Sequence, residues 1–282
     1  PRSGTPDQGL SRATAAPYPQ GARLCDTWRM QLQDILYSQG FGTRRVCAGL
    51  IQQGFVHVYD SNDPPVLVKC TQVATEIEAS GLRFQVQGAD WPYAEKAYVL
   101  LNKPSGTECS QKPSTYPSIY TLLPSPLRLR PQKGAVQGVQ AVGRLDQDTT
   151  GLLLFSDDGA FIHNLSSPKK HIPKIYRAEL AEDGSDLLIE RLLAGVDLID
   201  EPLPVPALTA RLLAERSLEM SIDLGKYHVV KRMVAAAGNH VEKLHRSGFG
   251  GLTLGEGPLA GLAEGEWVYL EEADLQQLYP AA

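Results

Sequence analysis

Leu152-Leu153-Leu154-Phe155 is an unbroken run of large apolar side chains directly behind a polar turn, Gly143-Arg144-Leu145-Asp146-Gln147-Asp148-Thr149-Thr150-Gly151. A short apolar run bounded by turn residues reads as a buried strand. Such a strand needs a sheet with cover, and it holds the carboxylates that precede it rigidly at its entry. A carboxylate in that position can work at a cleft, provided a neighbouring cation keeps it ionised, as a nucleophile requires. The same spacing equally suits two aspartates that only cap and bond the turn. A third reading is a calcium loop, with Asp146, Asp148 and Thr150 at positions 1, 3 and 5, Gly151 at 6 and Asp157 at 12. Gly134, Gly138 and Gly143 argue against an entering helix, and a buried strand does not wrap an ion.

The chain carrying this turn has 282 residues, enough for one large domain or two unequal ones. No window approaches the roughly 18 apolar residues of a membrane span. The stretch 1–28 is rich in Pro, Gly, Ala and Ser and has no apolar centre, so it reads as a flexible tail without a secretory signal. A cytoplasmic protein is the expectation. Cys25, Cys47, Cys70 and Cys109 form no CxxC pair, which excludes a zinc ribbon or thioredoxin-type motif.

The net charge of -5 hides a division along the chain. Residues 1–91 are neutral, residues 92–174 are basic and residues 175–282 are strongly acidic. A protein that coats phosphate indiscriminately is basic throughout. A selective enzyme with one basic face fits this division better.

The predicted architecture is α+β. Leu32, Ile35 and Leu36 lie at helical spacing and Gly40 ends that helix; Thr43 caps a second helix with Val46, Cys47, Leu50 and Ile51 as its buried stripe. Short strands follow at 55–59, 66–69 and 82–86, giving a helix-turn-helix module with strands over 30–91. Asp90-Trp91-Pro92-Tyr93 reads as a linker. The larger domain, 96–282, has strands at 97–101, 152–155, 175–180, 218–224, 241–245, 252–254 and 267–270. It also has helices from Asp158 to Leu165 and from 227 to 237, the second closed by Gly238. Residues 104–140 read as one long loop with a short helix at 118–123.

The motifs, in order, resemble one family. GRLDQDTTGLLLFSDDG is similar to the signature of the RsuA-like family of ribosomal small-subunit (16S rRNA) pseudouridine synthases. Leu100-Leu101-Asn102-Lys103-Pro104-Ser105-Gly106, Ser167-Pro168-Lys169-Lys170-His171 with Lys174-Ile175-Tyr176, Gly225 to Met233 with Gly238-Asn239-His240-Val241, and Leu244-His245-Arg246 with Gly250 to Leu254 continue the match. The 30–91 module resembles an S4 RNA-binding domain, with Phe41-Gly42-Thr43-Arg44-Arg45 as its characteristic turn. The resemblance spans about 30–275 and departs from the family at Val229, where a glutamine is usual.

The resemblance implies a larger domain with a mixed, mainly antiparallel sheet, and isomerisation of a specific uridine in 16S rRNA to pseudouridine. No cofactor or metal is implied. Asp146 becomes the catalytic aspartate, Tyr176 the aromatic stacked on the target base, and Lys231, rather than Arg232, the cation paired with Asp146. Asp148 is then structural. Arg144, beside the nucleophile, would hold phosphate or help flip the base. Arg44, Arg45, Lys103, Lys169, Lys170, His171, Lys174, His228 and Arg232 complete the expected RNA-binding surface. The implied partner is rRNA in a pre-ribosomal particle, met by a monomer away from membranes. Two alternatives are a synthase acting on large-subunit rRNA and a non-catalytic RNA-binding assembly factor.

Overall fold

The computed structural model describes residues 29–132 and 137–279. The expected tail at 1–28 lies outside the described residues. The described residues divide into two compact units, one comprising 29–95 with 125–132 and 137–138, the other comprising 96–124 and 139–279.

The first unit opens with β1 (Arg29–Gln31), α1 (Leu32–Ser38) and α2 (Arg44–Gln52). The Thr43 hydroxyl accepts the N–H of Val46 and so caps α2, as the sequence predicts. β2 (Val56–Tyr59), β3 (Leu67–Cys70), β5 (Arg83–Val86) and β6 (Ala89–Pro92) form an antiparallel sheet in the order β3-β2-β5-β6, while β4 (Glu76–Glu78) pairs with β1. Leu32, Ile35, Leu36, Cys47, Ile51 and Phe84 are fully buried between helices and sheet. The segment Asp90–Tyr93 is therefore not a linker. Pro92 sits at the end of an edge strand, where a missing N–H costs no ladder bond, and the Trp91 ring meets Phe41 edge-on at 5.3 Å.

The expected long loop also divides. Its segment α3 (Ser125–Leu129) and Arg130 pack with the first unit. Arg130, 2% exposed, donates to the Gln39 side-chain oxygen at 2.8 Å and to the carbonyls of Ala94 and Glu95. Gly40 at φ 87° leaves room for this segment, since a Cβ there would lie 2.1 Å from the Pro126 carbonyl oxygen.

The second unit is built on one sheet. Its strands are β7 (Tyr98–Lys103), β8 (Gln140–Ala141), β9 (Thr150–Ser156), β10 (Lys174–Leu180), β11 (Thr209–Ala214), β12 (Ser217–Ile222), β13 (Val241–Phe249), β14 (Leu252–Thr253) and β15 (Trp267–Tyr269). The order is β11-β12-β10-β13-β9-β7-β15, with β8 beside β9 and β14 beside β13. Every pairing is antiparallel except β13 with β9. This mixed, mainly antiparallel sheet agrees with the expected fold class. The helices are α4 (Gly159–Ser166), α5 (Asp186–Ala194), α6 (Val229–Ala237) and α7 (Glu272–Gln277).

The apolar run that opened the sequence argument lies in β9, central in the sheet, and Leu152, Leu153, Leu154 and Phe155 are at most 1% exposed. Leu152 and Leu154 join Leu100, Phe161, Leu165 and Phe249 in one hydrophobic core cluster. Asp158 caps α4 by accepting the N–H groups of Ala160 and Phe161, as predicted. Because β9 is held on both edges, the turn before it has a fixed anchor.

Candidate active site

The turn Gly143–Thr149 is fastened from below by buried groups. Lys103, fully buried at the end of β7, donates its ammonium to the carbonyls of Thr149 at 2.9 Å, Pro104 at 3.1 Å and Gln147 at 3.4 Å. Burial lowers its pKa, opposed by Cys109, Asp148 and Asp146. The Gly106 N–H meets the Gln147 carbonyl at 2.8 Å, and the Leu145 N–H points at the Cys109 sulfur at 3.4 Å. Arg246 of β13, 2% exposed, donates from Nε to the Leu152 carbonyl at 2.7 Å. Gly151, at φ 105°, lies directly beside Arg246 in the parallel pairing, and a Cβ there would come within 2.3 Å of the Arg246 carbonyl oxygen. Only glycine fits where these strands cross.

The other side of the turn meets the start of α6, and here the expected pairing is corrected. Lys231 does not reach Asp146. Its ammonium binds both oxygens of Asp148, at 2.8 and 2.7 Å. Burial pushes the Asp148 carboxyl up, but the Lys231 hydrogen bond and charge, helped by His228, outweigh it and hold the pKa below the ordinary value. The nitrogen beside Asp146 belongs to His228, whose Nε2 lies 3.2 Å from Oδ1. The physical reason is the backbone at the helix start. His228 is the left-handed N-cap residue of α6 and Lys231 lies in the first turn, so the imidazole meets Asp146 while the ammonium meets Asp148. The sequence reading pairs Lys231 with Asp146 and leaves Asp148 structural.

Tyr176, on β10 and 7% exposed, lies across from Arg246 of β13, which in turn lies beside Gly151 of β9. The expected aromatic thus shares a lateral row with the strand that follows the turn.

The expected RNA-binding residues separate into three kinds. Lys103 is no surface residue, because its charge is spent on backbone carbonyls. Lys174 is half-buried and tied to the carbonyls of Ile172 and Asp223; burial, reinforced by Arg246, lowers its pKa to about 8. His171 contacts Asp223 at 2.5 Å, and Arg232 makes a two-pronged pair with Asp200. Arg144, Lys169 and Lys170 are exposed. In the first unit Arg44 and Arg45 are exposed at the start of α2, with Arg44 held 2.8 Å from Asp34.

The sequence reading passed over the acidic segment that faces α6. Glu201 meets Lys226 at 2.8 Å, beside the Asp200–Arg232 pair. Beyond them the Tyr227 ring is 75% exposed and stacks on His228 at 3.7 Å between centroids. Among the described residues, no group of three or more His, Cys, Asp or Glu side chains could hold a metal ion, and no helix is long and apolar enough to cross a membrane.

Comparison with known proteins adds an independent line. The model of the family described as RNA pseudouridylate synthase matches residues 97–236. The ribosomal small subunit pseudouridine synthase A of Escherichia coli (strain K12) is 37% identical over 178 residues, 63% of this chain and 72% of that protein. The protein of that name from Haemophilus influenzae is 34% identical over 236 residues, covering 84% and 94%. The one from Vibrio vulnificus is 34% identical over 253 residues, covering 89% and 100%. A crystal structure of a pseudouridylate synthase is similar with TM-score 0.57 and 30% identity, covering 88% of this chain and 99% of that one.

Proposed function

The chain belongs to the RNA pseudouridylate synthase family, and from that premise we propose that it isomerises a specific uridine of 16S rRNA to pseudouridine, with Asp146 as the catalytic carboxylate. The observation that carries this reading is the pinned turn before β9, which presents Asp146 opposite the start of α6. The reaction detaches uracil from C1′, turns it over and rejoins it through C5. No atom is gained or lost. An anionic carboxylate beside the sugar either attacks C1′ or stabilises the positive charge that develops there. The loose base must be held while it rotates, and Tyr176 is the aromatic we assign to it.

A base inside a helix is out of reach, so the target nucleotide must leave its stack. Arg144 is exposed two residues before Asp146, where it can fill the gap or hold phosphate. Lys169, Lys170 and Arg232 supply further phosphate contacts, and His171 adds one when protonated. The first unit, with Arg44 and Arg45 at a capped helix start, is assigned as an S4 RNA-binding domain. Its second helix offers Ala48, Gly49, Gln52 and Gln53 where further cations would help, so its own RNA affinity is modest. The partner is 16S rRNA within an assembling small subunit, the protein acts as a monomer, and the cytoplasm is its site of action.

Pseudouridine mapping of 16S rRNA from cells with and without the gene tests the substrate. One uridine is expected to lose its modification on deletion and to regain it when the gene is restored. An unchanged 16S map with an altered large-subunit map would move the substrate, and no change in either would remove the assignment.

A further inference from the structure

His228 begins α6 as its N-cap residue, yet its side chain makes no cap hydrogen bond to the helix. It is one of three non-glycine residues with positive φ among the described residues, at φ 48° and ψ 28°. That conformation costs an L-residue roughly 1–2 kcal/mol. Such strain survives where surrounding contacts over-determine it, and it concentrates at functional sites. Capping does not account for it here, so the contacts of the ring must.

Those contacts lie on two sides. The inner nitrogen, Nε2, is 3.2 Å from Asp146 Oδ1. The outer face carries the Tyr227 ring, 3.7 Å away between centroids and inclined by only 20°. Lys231, the cation expected beside Asp146, is fully engaged by Asp148. Two partners of opposite kind, a carboxylate edge and an aromatic plate, therefore fix the imidazole in position and in plane. The 3.2 Å separation is within hydrogen-bond reach, and catalytic contacts tighten when substrate arrives.

We propose that His228 is a positioning residue for Asp146, its Nε2–H directing one carboxylate oxygen so that the other faces the ribose, with Tyr227 holding the ring in plane. The inference rests on the pseudouridine synthase reading of Asp146. His228 moves no proton in this role and acts through the aspartate alone. A misplacement of about 1 Å in a reacting group can cost about a hundredfold in rate. The expected loss on removing the donor is therefore large and falls on kcat.

The test compares H228F with H228Q in the full chain. Phenylalanine keeps a ring for Tyr227 and has no donor. Glutamine has an amide N–H at a similar reach. Both are L side chains at the same left-handed position, and the melts report any difference in backbone cost between them. Each variant and the wild type are assayed for tritium release from 5-³H-uridine-labelled 16S rRNA, with thermal melts alongside. H228F is expected to lose roughly 30- to 100-fold in kcat with KM within about threefold, and H228Q to stay within about fivefold of wild-type kcat. Wild-type kcat in H228F, or equal losses in H228F and H228Q, would overturn the inference. A loss confined to KM would overturn it too, by assigning His228 to RNA binding. A wild-type protein that releases no tritium from any small-subunit RNA or particle would instead bring down the functional reading beneath it, and the inference with it.

Discussion

The two sides of the Gly143–Thr149 turn hold their cations in opposite ways. On the inner side Lys103 and Arg246 are buried and give their hydrogen bonds to backbone carbonyls. On the outer side Lys231 and Arg232 pair with the half-exposed carboxylates of Asp148 and Asp200, and Lys226 with the more buried Glu201. A buried ammonium has no water to turn to, so every one of its partners must be in place, and it becomes a pin. An exposed ion pair contributes about 0–1 kcal/mol and weakens with salt, so phosphate can replace its carboxylate at little cost. The inner cations thus fix where Asp146 stands; on the proposed function, Arg232 and Lys226 are the cations that would pass from carboxylate to phosphate, while Lys231 stays with Asp148. The difference teaches that a lysine in a motif is read by what surrounds it. Lys103 and Lys231 both hold the turn, one through buried backbone carbonyls and the other through the Asp148 carboxylate.

The strongest way to break this contrast is Lys103→Met. It leaves the carbonyls of Thr149, Gln147 and Pro104 facing an apolar side chain, and a cost on the order of 3 kcal/mol is expected in urea unfolding, with activity falling alongside. A variant as stable as wild type would show that the pin is dispensable. Lys231→Met should do the reverse, leaving stability within about 1 kcal/mol while kcat drops about tenfold through the disturbed Asp148. Melting curves and kcat measured on the same preparations separate the two lysines.

A smaller effect sharpens the outer side. Asp200→Asn with Glu201→Gln frees Arg232 and Lys226, and RNA affinity in a filter-binding titration should rise about threefold at low salt. The gain should vanish at high salt; a gain that persists would mean the acids act by another route. The smallest effect comes from Glu108, whose carboxylate accepts the N–H groups of Tyr116, Ser114 and Thr115 and whose pKa falls to about 2. A depressed carboxylate contributes stability above its unfolded pKa of 4.5 and loses it as pH falls toward 2. Glu108→Gln should therefore flatten the acid limb of the stability curve between about pH 4.5 and 2, and an unchanged limb would contradict the assignment.

What the sequence made legible is local chemistry. Thr43 and Asp158 cap the helices they were expected to cap, Gly238 closes α6, and Leu152–Phe155 is the buried strand. Each depends on a few neighbouring residues. What stayed hidden depends on distant partners. The three-residue strands β1 and β4 find each other across 45 residues or more, with no period long enough to see. Trp91 was masked by its neighbour Pro92, which an edge strand tolerates. Helix α5 exposes Leu187 and Leu193, which blurs its apolar stripe. At the site, the two aspartates and the basic helix were visible, but their register was set by the left-handed backbone at His228, which no spacing encodes.

The central claim is that the Asp146 carboxylate does the chemistry. The most direct measurement is pseudouridine formation in 16S rRNA by Asp146→Asn beside wild type, with matched melting temperatures and matched RNA affinity. The amide keeps the shape and removes the charge, so activity should fall at least a thousandfold, about 4 kcal/mol in the barrier, while folding and binding hold. An Asp146→Asn protein that isomerises uridine within tenfold of the wild-type rate would contradict the account.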